Sequence, residues 1–321
     1  MRTWMRLAAA AVAALAVTTA LGQEKYPSRA IEMVIPTAPG GGTDIALRQL
    51  AALAEPALGQ SVVIVNKTGA GGTIGVANIV NAKPDGYTIG GVWNAPLTMT
   101  PHMVPAQYKP SDYVPVVLVT WAPTVLCVKA AFPASDGKGF IEELKKNPDK
   151  YTYGNDGIGG TLHLASERVF YKLGVKALPV PFSGAGETLK SFLGGHIDIY
   201  AGSIPPILPY VKDKSAKCLM VTSPERNPYL PDASSLTDLG VPQESTVLWR
   251  GIIVPKGVPA DRIAVLQKAF ADAALSPKFK DFMEQRGEEV RGTGSPEFRQ
   301  LVDSEYAAMG QVMEQIGLAK K

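Results

Sequence analysis

Short apolar runs rich in β-branched residues alternate along this chain with stretches in which apolar residues recur every three or four positions. Residues 31–35 predict a strand, and residues 45–58 predict a helix whose apolar stripe includes Leu47, Leu50 and Leu58. The other predicted elements are strands at 62–65, 87–93, 116–128, 151–153, 177–182, 197–200 and 247–254 and helices at 75–81, 139–146, 161–173, 187–193, 260–275 and 297–316. This alternation predicts an α/β fold with mainly parallel sheets.

The N-terminus has the layout of a secretory signal peptide. Arg2 and Arg6 precede an apolar run that small residues close, so we expect residues 1–22 to be removed, with cleavage after Ala20 or after Gly22. An uncleaved anchor helix is the alternative, but the run is shorter than the roughly 20 apolar residues that a bilayer core requires. The sequence therefore predicts an exported protein.

The length of the remaining chain predicts two lobes. About 300 residues exceed what one hydrophobic core usually organises. Strand-rich segments near 116–128 and 245–254 are placed to carry the chain out of a first lobe and back. We therefore expect lobe 1 to comprise 23–122 plus 250–321 and lobe 2 to comprise 123–249, with a hinge-closing cleft between them.

Charge and motif content exclude several classes of protein. The 32 basic and 29 acidic residues are nearly balanced, whereas a nucleic-acid binder normally shows a clustered basic excess. The chain has neither a GxSxG elbow nor an HExxH motif, so we expect no enzyme. Its three histidines and two cysteines lack ligand-like spacing, so we expect neither a metal nor a cofactor. Cys127 and Cys218 either pair in an oxidising compartment or stay buried as thiols, and we favour the thiols.

A glycine-rich loop at residues 35–45, IPTAPGGGTDI, joins a predicted strand directly to a predicted helix. Without Cβ atoms the backbone N–H groups can approach a ligand, and a helix N-terminus adds unpaired donors and a partial positive charge. The loop therefore predicts an anion-binding site. The alternative is a tight turn with Asp44 as a helix cap.

Three further glycine-rich loops connect strands to helices. The loop at 153–163 has the same plan in the second half of the chain, with Thr161 suited to the N-cap, and the loop at 182–187 repeats it. Residues 67–75 depart from the dinucleotide fingerprint and predict a structural or cleft-wall loop. One such loop in each half is what a cleft needs to hold both ends of a small molecule.

Several motifs in order resemble one family across essentially the whole mature chain. They are YPSRAI at 26–31, VIPTAPGGGTD at 34–44, LGQSVVIVNKTGAGG at 58–72, PDGYT at 84–88, LGGHID at 193–198, SPER at 223–226 and WRGIIVPKG at 249–257. The chain resembles the Bug receptors, the extracytoplasmic solute receptors of tripartite tricarboxylate transporters.

This resemblance implies a fold, a ligand class and partners. It implies a periplasmic location, the type II-like periplasmic-binding-protein fold, a small carboxylate ligand (a di- or tricarboxylate or an acidic amino acid) and delivery to one large and one small integral membrane subunit. We also expect a monomer, and the balanced charge predicts no nucleic-acid partner. The alternatives are a protein that presents its ligand to a sensor protein and an exported transferase or hydrolase on the same scaffold. The ligand-binding residues carried over from the family are Ala38, Pro39, Gly40, Gly41, Asp44, Asn94, Asn155, Asp156, Gly159, Thr161, Phe182, Ser183 and Gly184.

The chain departs from the family pattern in the loop of the second half. Asn155 and Asp156 stand where the family often has small residues, and Gly160 where it often has Ser. An acidic side chain in an anion loop is unfavourable unless it meets a cation or turns away. Asp156 therefore either selects an amino group on the ligand or points to solvent, and we favour solvent. Arg250 either pairs with a ligand carboxylate or has a surface or hinge role.

Overall fold

The computed structural model describes residues 25–315 and 318–319. The predicted signal peptide lies outside these residues. Among the residues described, no helix combines the length and the apolar content that a bilayer crossing requires.

Most elements match predicted ones, whereas the helices at 204–212 and 277–284 and the strand at 289–293 were not predicted. The strands are β1 (Ile31–Ile35), β2 (Val62–Asn66), β3 (Thr88–Trp93), β4 (Tyr113–Lys129), β5 (Thr152–Asn155), β6 (Leu178–Pro181), β7 (Ile199–Ser203), β8 (Ala216–Val221), β9 (Val247–Pro255) and β10 (Glu289–Thr293). The α-helices are α1 (Gly42–Leu58), α2 (Thr73–Val80), α3 (Gly137–Lys146), α4 (Thr161–Leu173), α5 (Ala185–Leu193), α6 (Ile204–Lys212), α7 (Ala260–Leu275), α8 (Pro277–Glu284) and α9 (Ser295–Gln315).

The strands form one continuous, mixed sheet. Its order is β2-β1-β3-β9-β4-β7-β5-β6, and β8 and β10 also pair with β4. β1 is parallel to β2 and β3, and β5 is parallel to β6 and β7. The prediction of mainly parallel sheets is wrong, because β4 and β9 run antiparallel to their neighbours.

Strand β4 crosses from one half of the molecule to the other. Its first part pairs with β9 as far as Pro123 opposite Val247, and from Thr124 onward it pairs with β7 and β8. Separate apolar cores flank this crossing. One core packs α1 and α7 around residues such as Leu50 and Phe270, and another packs α3 and α4 around Tyr153.

The architecture is therefore α/β with two lobes. Each lobe has parallel strands and its own apolar packing, and the crossing strands β4 and β9 lie between them. Division of the chain at 122/123 and 249/250 stays our proposal for the lobe boundaries.

The two cysteines form a disulfide. Cys127 of β4 lies directly opposite Cys218 of the antiparallel strand β8, and the two sulfur atoms are bonded. Our preference for buried thiols is wrong, because the strand register places both side chains on the same face of the sheet.

Candidate ligand-binding site

A small cavity of about 20 Å³ lies where loops from both lobes meet. Its lining residues are Thr37, Gly41, Gly42, Thr43, Trp93, Asp156, Leu162, Ala185, Ser203 and Leu248. A groove of about 610 Å³ near Asp136 and Arg226 is larger, but its lining includes none of the predicted ligand-binding residues. We therefore take the small cavity between the lobes as the candidate site.

Helix α1 presents an uncapped N-terminus to this cavity. It begins at Gly42, three residues earlier than predicted, and Gly41 at the N-cap offers no side-chain acceptor. The N–H groups in the first turn of a helix have no acceptor within that helix. Together with the helix dipole, they favour an anion at this end of the cavity.

Asp44 stabilises the conformation of the glycine-rich loop at 35–45. Its carboxylate accepts hydrogen bonds from the Gly40 N–H (3.0 Å), from Arg48 Nε (2.9 Å) and from Asn66 Nδ2 (3.0 Å). Burial raises the pKa of this carboxyl, but the bonds from Arg48, Gly40 and Asn66 outweigh it and leave the pKa below its ordinary value. Asp44 thus stays charged and fixes the loop.

Arg250 lies fully buried behind the N-terminus of α1. Its Nε donates to Thr43 Oγ1 (3.1 Å), and its Nη1 donates to Thr120 Oγ1 (3.1 Å) and to the buried carboxylate of Glu288. A surface role for Arg250 is wrong, because β9 carries it through the interior beside the crossing.

Two buried polar atoms converge at Gly42. Among residues 25–315 and 318–319, neither Arg250 Nη2 nor Ser203 Oγ has a hydrogen-bond partner. A Cβ atom placed on Gly42 would fall against Ser203 Oγ and 2.7 Å from Arg250 Nη2. Because leaving buried polar groups unpaired is unfavourable, this point suits a ligand oxygen.

Asp156, which also lines the cavity, caps helix α4 of the other lobe. Its Oδ1 accepts hydrogen bonds from the N–H groups of Leu162 (3.1 Å) and His163 (3.4 Å). Asp156 is 6% exposed, so its predicted orientation toward solvent is wrong. Thr161 as N-cap is also wrong, since Thr161 is already inside the helix and Gly160 occupies that position.

Burial controls the charge of Asp156. It raises the pKa of Asp156 from its ordinary value of 3.8 to about 6, despite the opposing effect of the backbone N–H donors. The Trp93 side chain lies beside the same carboxylate. Asp156 is therefore ionised at neutral pH, and its negative charge lies at the end of the helix where an external anion would otherwise bind.

The lobes touch through hydrogen bonds between the predicted loops. These bonds run from the Ala38 N–H to Ser183 O (3.4 Å), from Thr161 Oγ1 to Asn94 Oδ1 (2.6 Å) and from Thr100 Oγ1 to Gly159 O (3.0 Å). The Asn94 amide is itself held by Val247 O and Glu305. The structure thus describes the closed arrangement of the cleft.

The predicted ligand-binding residues fall into three groups. Gly41 and Asp156 line the cavity. Ala38, Asn94, Gly159, Thr161 and Ser183 make the contacts between the lobes, where Pro39, Gly40 and Gly184 also pack against the opposite loop. Asp44, Asn155 and Phe182 support the loops from outside the cavity lining. Direct contact of these residues with a ligand stays a prediction.

Ser203 and Gly42 are cavity residues that the sequence reasoning missed. Ser203 ends β7 just before α6, and ligands of α/β sheets bind beyond the carboxyl ends of strands. That position was the available signal. Gly42 was inside the glycine run, but its place in the first turn of α1 became visible only in the fold.

Comparison with known proteins identifies the family. The family model described as tripartite tricarboxylate transporter family receptor, TctC, matches residues 46–318. A Cupriavidus necator protein, called the UPF0065 protein in the gbd 5′ region, is 31% identical over 316 residues, which are 97% of this chain and 96% of that protein.

Solved structures with the same fold include BugD and MatC. The periplasmic binding protein BugD has a TM-score of 0.86 and 32% identity, and the match covers 92% of this chain and 100% of BugD. MatC from Rhodopseudomonas palustris, solved with bound malate, has a TM-score of 0.84 and 27% identity, covering 89% of this chain and 99% of MatC. The chain belongs to the TctC family of tripartite tricarboxylate transporter receptors, which are solute-binding proteins with the periplasmic-binding-protein fold.

Proposed function

We propose that this protein captures a small carboxylate in the periplasm and delivers it to a tripartite transporter. The observation that carries the proposal is the convergence of the uncapped N-terminus of α1 with Ser203 Oγ and Arg250 Nη2 at Gly42. The N–H groups of that helix turn, the Ser203 hydroxyl and the Arg250 Nη2 group all donate hydrogen bonds, and a carboxylate oxygen can accept them. The malate found in the related MatC supports the same ligand class.

The strength of such a site is sufficient for a receptor. A micromolar dissociation constant corresponds to about 8 kcal/mol. Hydrogen bonds to a charged group contribute about 1.5–3 kcal/mol each, so three or four of them in a closed cleft supply much of that energy. The function needs no chemical step, and we propose no catalytic role for the cavity residues.

Thermal-shift measurements on the mature protein, residues 23–321, test the carboxylate site. The panel holds mono-, di- and tricarboxylates, amino acids, and uncharged amides of the same shapes. At least one carboxylate should raise the melting temperature while its amide does not. Ser203→Ala should weaken that response, whereas Ser166→Ala, which changes a serine bonded only to its own helix, should not. Silence of every carboxylate would refute the proposal.

The membrane partners need a separate experiment. We propose that one large and one small integral subunit receive the loaded protein, since the closed lobes give such a complex a ligand-dependent surface. The receptor with bound ligand should stimulate ligand uptake by vesicles that contain both subunits. Uptake that does not depend on the receptor would contradict this assignment and leave the carboxylate site in place.

A further inference from the structure

The two helix N-termini that face the cavity are not equivalent. The N-terminus of α1 has no side-chain cap, and unpaired donors gather next to it. The N-terminus of α4 is already occupied by the carboxylate of Asp156. The cavity therefore has one side that attracts an anion and another side that presents a fixed negative charge.

The anion side is built from buried groups of both lobes. Arg250 has 0% and Ser203 1% of its surface exposed, and within the described part of the chain Nη2 and Oγ lack hydrogen-bond partners. Glu288 holds the guanidinium by Nη1, and Thr43 holds it by Nε, so Nη2 is the nitrogen that remains for a ligand. A ligand carboxylate bound here satisfies both atoms together.

The Asp156 side lacks a counter-ion. Asp156 forms no salt bridge with any residue of the described chain. Two N–H donors of α4 satisfy Oδ1 and the Trp93 side chain lies against the same carboxylate, but none of these groups carries a positive charge. A second ligand carboxylate would lie against this charge in a cavity with almost no water to screen it, whereas an ammonium group would neutralise it.

We propose that the ligand is a zwitterion of the α-amino acid class, with its carboxylate at Gly42, Ser203 and Arg250 and its ammonium group at Asp156. This inference rests on the proposed carboxylate function and specifies the group at the other end of the ligand. The cavity of about 20 Å³ holds little more than one water molecule, so the lobes separate to admit the ligand.

Calorimetric titration with three compounds of one shape tests the polarity of the site. Alanine, propionate and methylmalonate share a methyl-bearing carbon and one carboxylate, and they differ in an ammonium group, a hydrogen or a second carboxylate on that carbon. Burial raises the pKa of Asp156 to about 6, so titrations near pH 7.5 keep it ionised. Alanine should bind at least roughly tenfold more tightly than propionate, and methylmalonate should bind most weakly.

Asp156→Asn should remove this preference while the protein still folds. Asn is itself a good helix cap, so the N–H groups of Leu162 and His163 keep an acceptor. Alanine should lose roughly ten- to hundredfold in affinity, and methylmalonate should gain. Asp136→Asn is the matched control, because Asp136 caps α3 of the same lobe at an exposed position away from the cavity.

Gly42→Ala tests the carboxylate side independently. Gly42 lies within a helix, so alanine meets no backbone strain there, but its Cβ takes the space between Ser203 and Arg250. Binding of all carboxylates should fall by more than about tenfold. Gly139→Ala, in the first turn of α3, is the control glycine and should leave binding unchanged.

The outcomes separate this inference from the proposed function. Tighter binding of methylmalonate or of longer dicarboxylates than of any amino acid would overturn the zwitterion and leave the carboxylate receptor intact. Unchanged affinity for alanine in Asp156→Asn would also overturn it. Silence of every carboxylate, amino acids included, would overturn both. Alanine, glycine, serine or aspartate binding that depends on Asp156 establishes the inference.

Discussion

Replacing Asp156 by Asn should make the unliganded protein more stable, and the gain should depend on pH. Burial raises the pKa of Asp156 from 3.8 to about 6 in the folded protein. Each unit of pKa difference between the folded and unfolded states corresponds to about 1.4 kcal/mol, so the free-energy cost of the ionised form is about 3 kcal/mol.

The direction follows from the raised pKa. Below about pH 3 the carboxyl group is protonated in both states, and folding carries no cost from its charge. As the pH rises through about 6, the folded state must ionise a buried group, and this contribution to stability is lost. The amide of the Asp156→Asn variant does not titrate, so the stability difference between variant and wild type should grow by about 3 kcal/mol between about pH 3 and about pH 8.

Urea unfolding followed by tryptophan fluorescence measures this difference. Tyr153 and His163 are the titratable groups near Asp156, and burial holds the pKa of His163 below its ordinary value while raising that of Tyr153. Repeating the comparison in a His163→Gln background removes the neighbouring imidazole, whose pKa burial lowers. A stability difference that stays constant within about 0.5 kcal/mol across this range would refute the assignment of a buried carboxylate without a counter-ion.

Three further changes test other parts of the structure. Arg250→Met leaves the Glu288 carboxylate buried without its counter-ion and should lower the free energy of unfolding by about 3–5 kcal/mol. The Arg250→Met/Glu288→Leu double variant should recover part of this loss. An unchanged urea midpoint in Arg250→Met would contradict the buried pair. Thr161→Val removes a hydrogen bond between the lobes and leaves Asn94 Oδ1 buried without that donor, which destabilises the closed form by about 1–3 kcal/mol. The open form should then be more populated, and small-angle scattering should show a larger radius of gyration. Replacing both Cys127 and Cys218 by Ala should destabilise the protein by about 3–5 kcal/mol, because the disulfide joins residues 91 apart, and should leave ligand affinity within about twofold in calorimetry.

Much of the fold was predictable because local pattern and tertiary packing agree. Helices α4 and α7 have the predicted bounds, since an apolar stripe of helical period begins and ends beside Gly, Pro or Ser. Helix α6 was missed because Pro205, Pro206 and Pro209 indicate a loop. Two of these prolines lie in its first turn, where a missing N–H removes no hydrogen bond of the helix.

The candidate site was predictable only in part. The glycine run at the start of α1 indicated an anion site, and its position at the cavity fits that interpretation. The convergence of Gly42, Ser203 and Arg250 depends on three segments that are far apart in sequence and meet only through the sheet. The position of the Asp156 side chain was not predictable either, because Gly157 and Gly159 adopt left-handed conformations that turn the loop back and bring this carboxylate to α4.

The distribution of donors between the lobes explains how binding would drive closure. Gly42 and Ser203 belong to opposite lobes, so a carboxylate held between them makes its full set of contacts only when the lobes meet. In the closed form without ligand, Arg250 Nη2 and Ser203 Oγ are unsatisfied within residues 25–315 and 318–319, which costs about 1–3 kcal/mol for each. The hydrogen bonds between the lobes, such as that from Thr161 to Asn94, offset part of this cost. A ligand that satisfies both atoms removes the penalty and adds its own contacts, so the closed population should rise with occupancy of this one point.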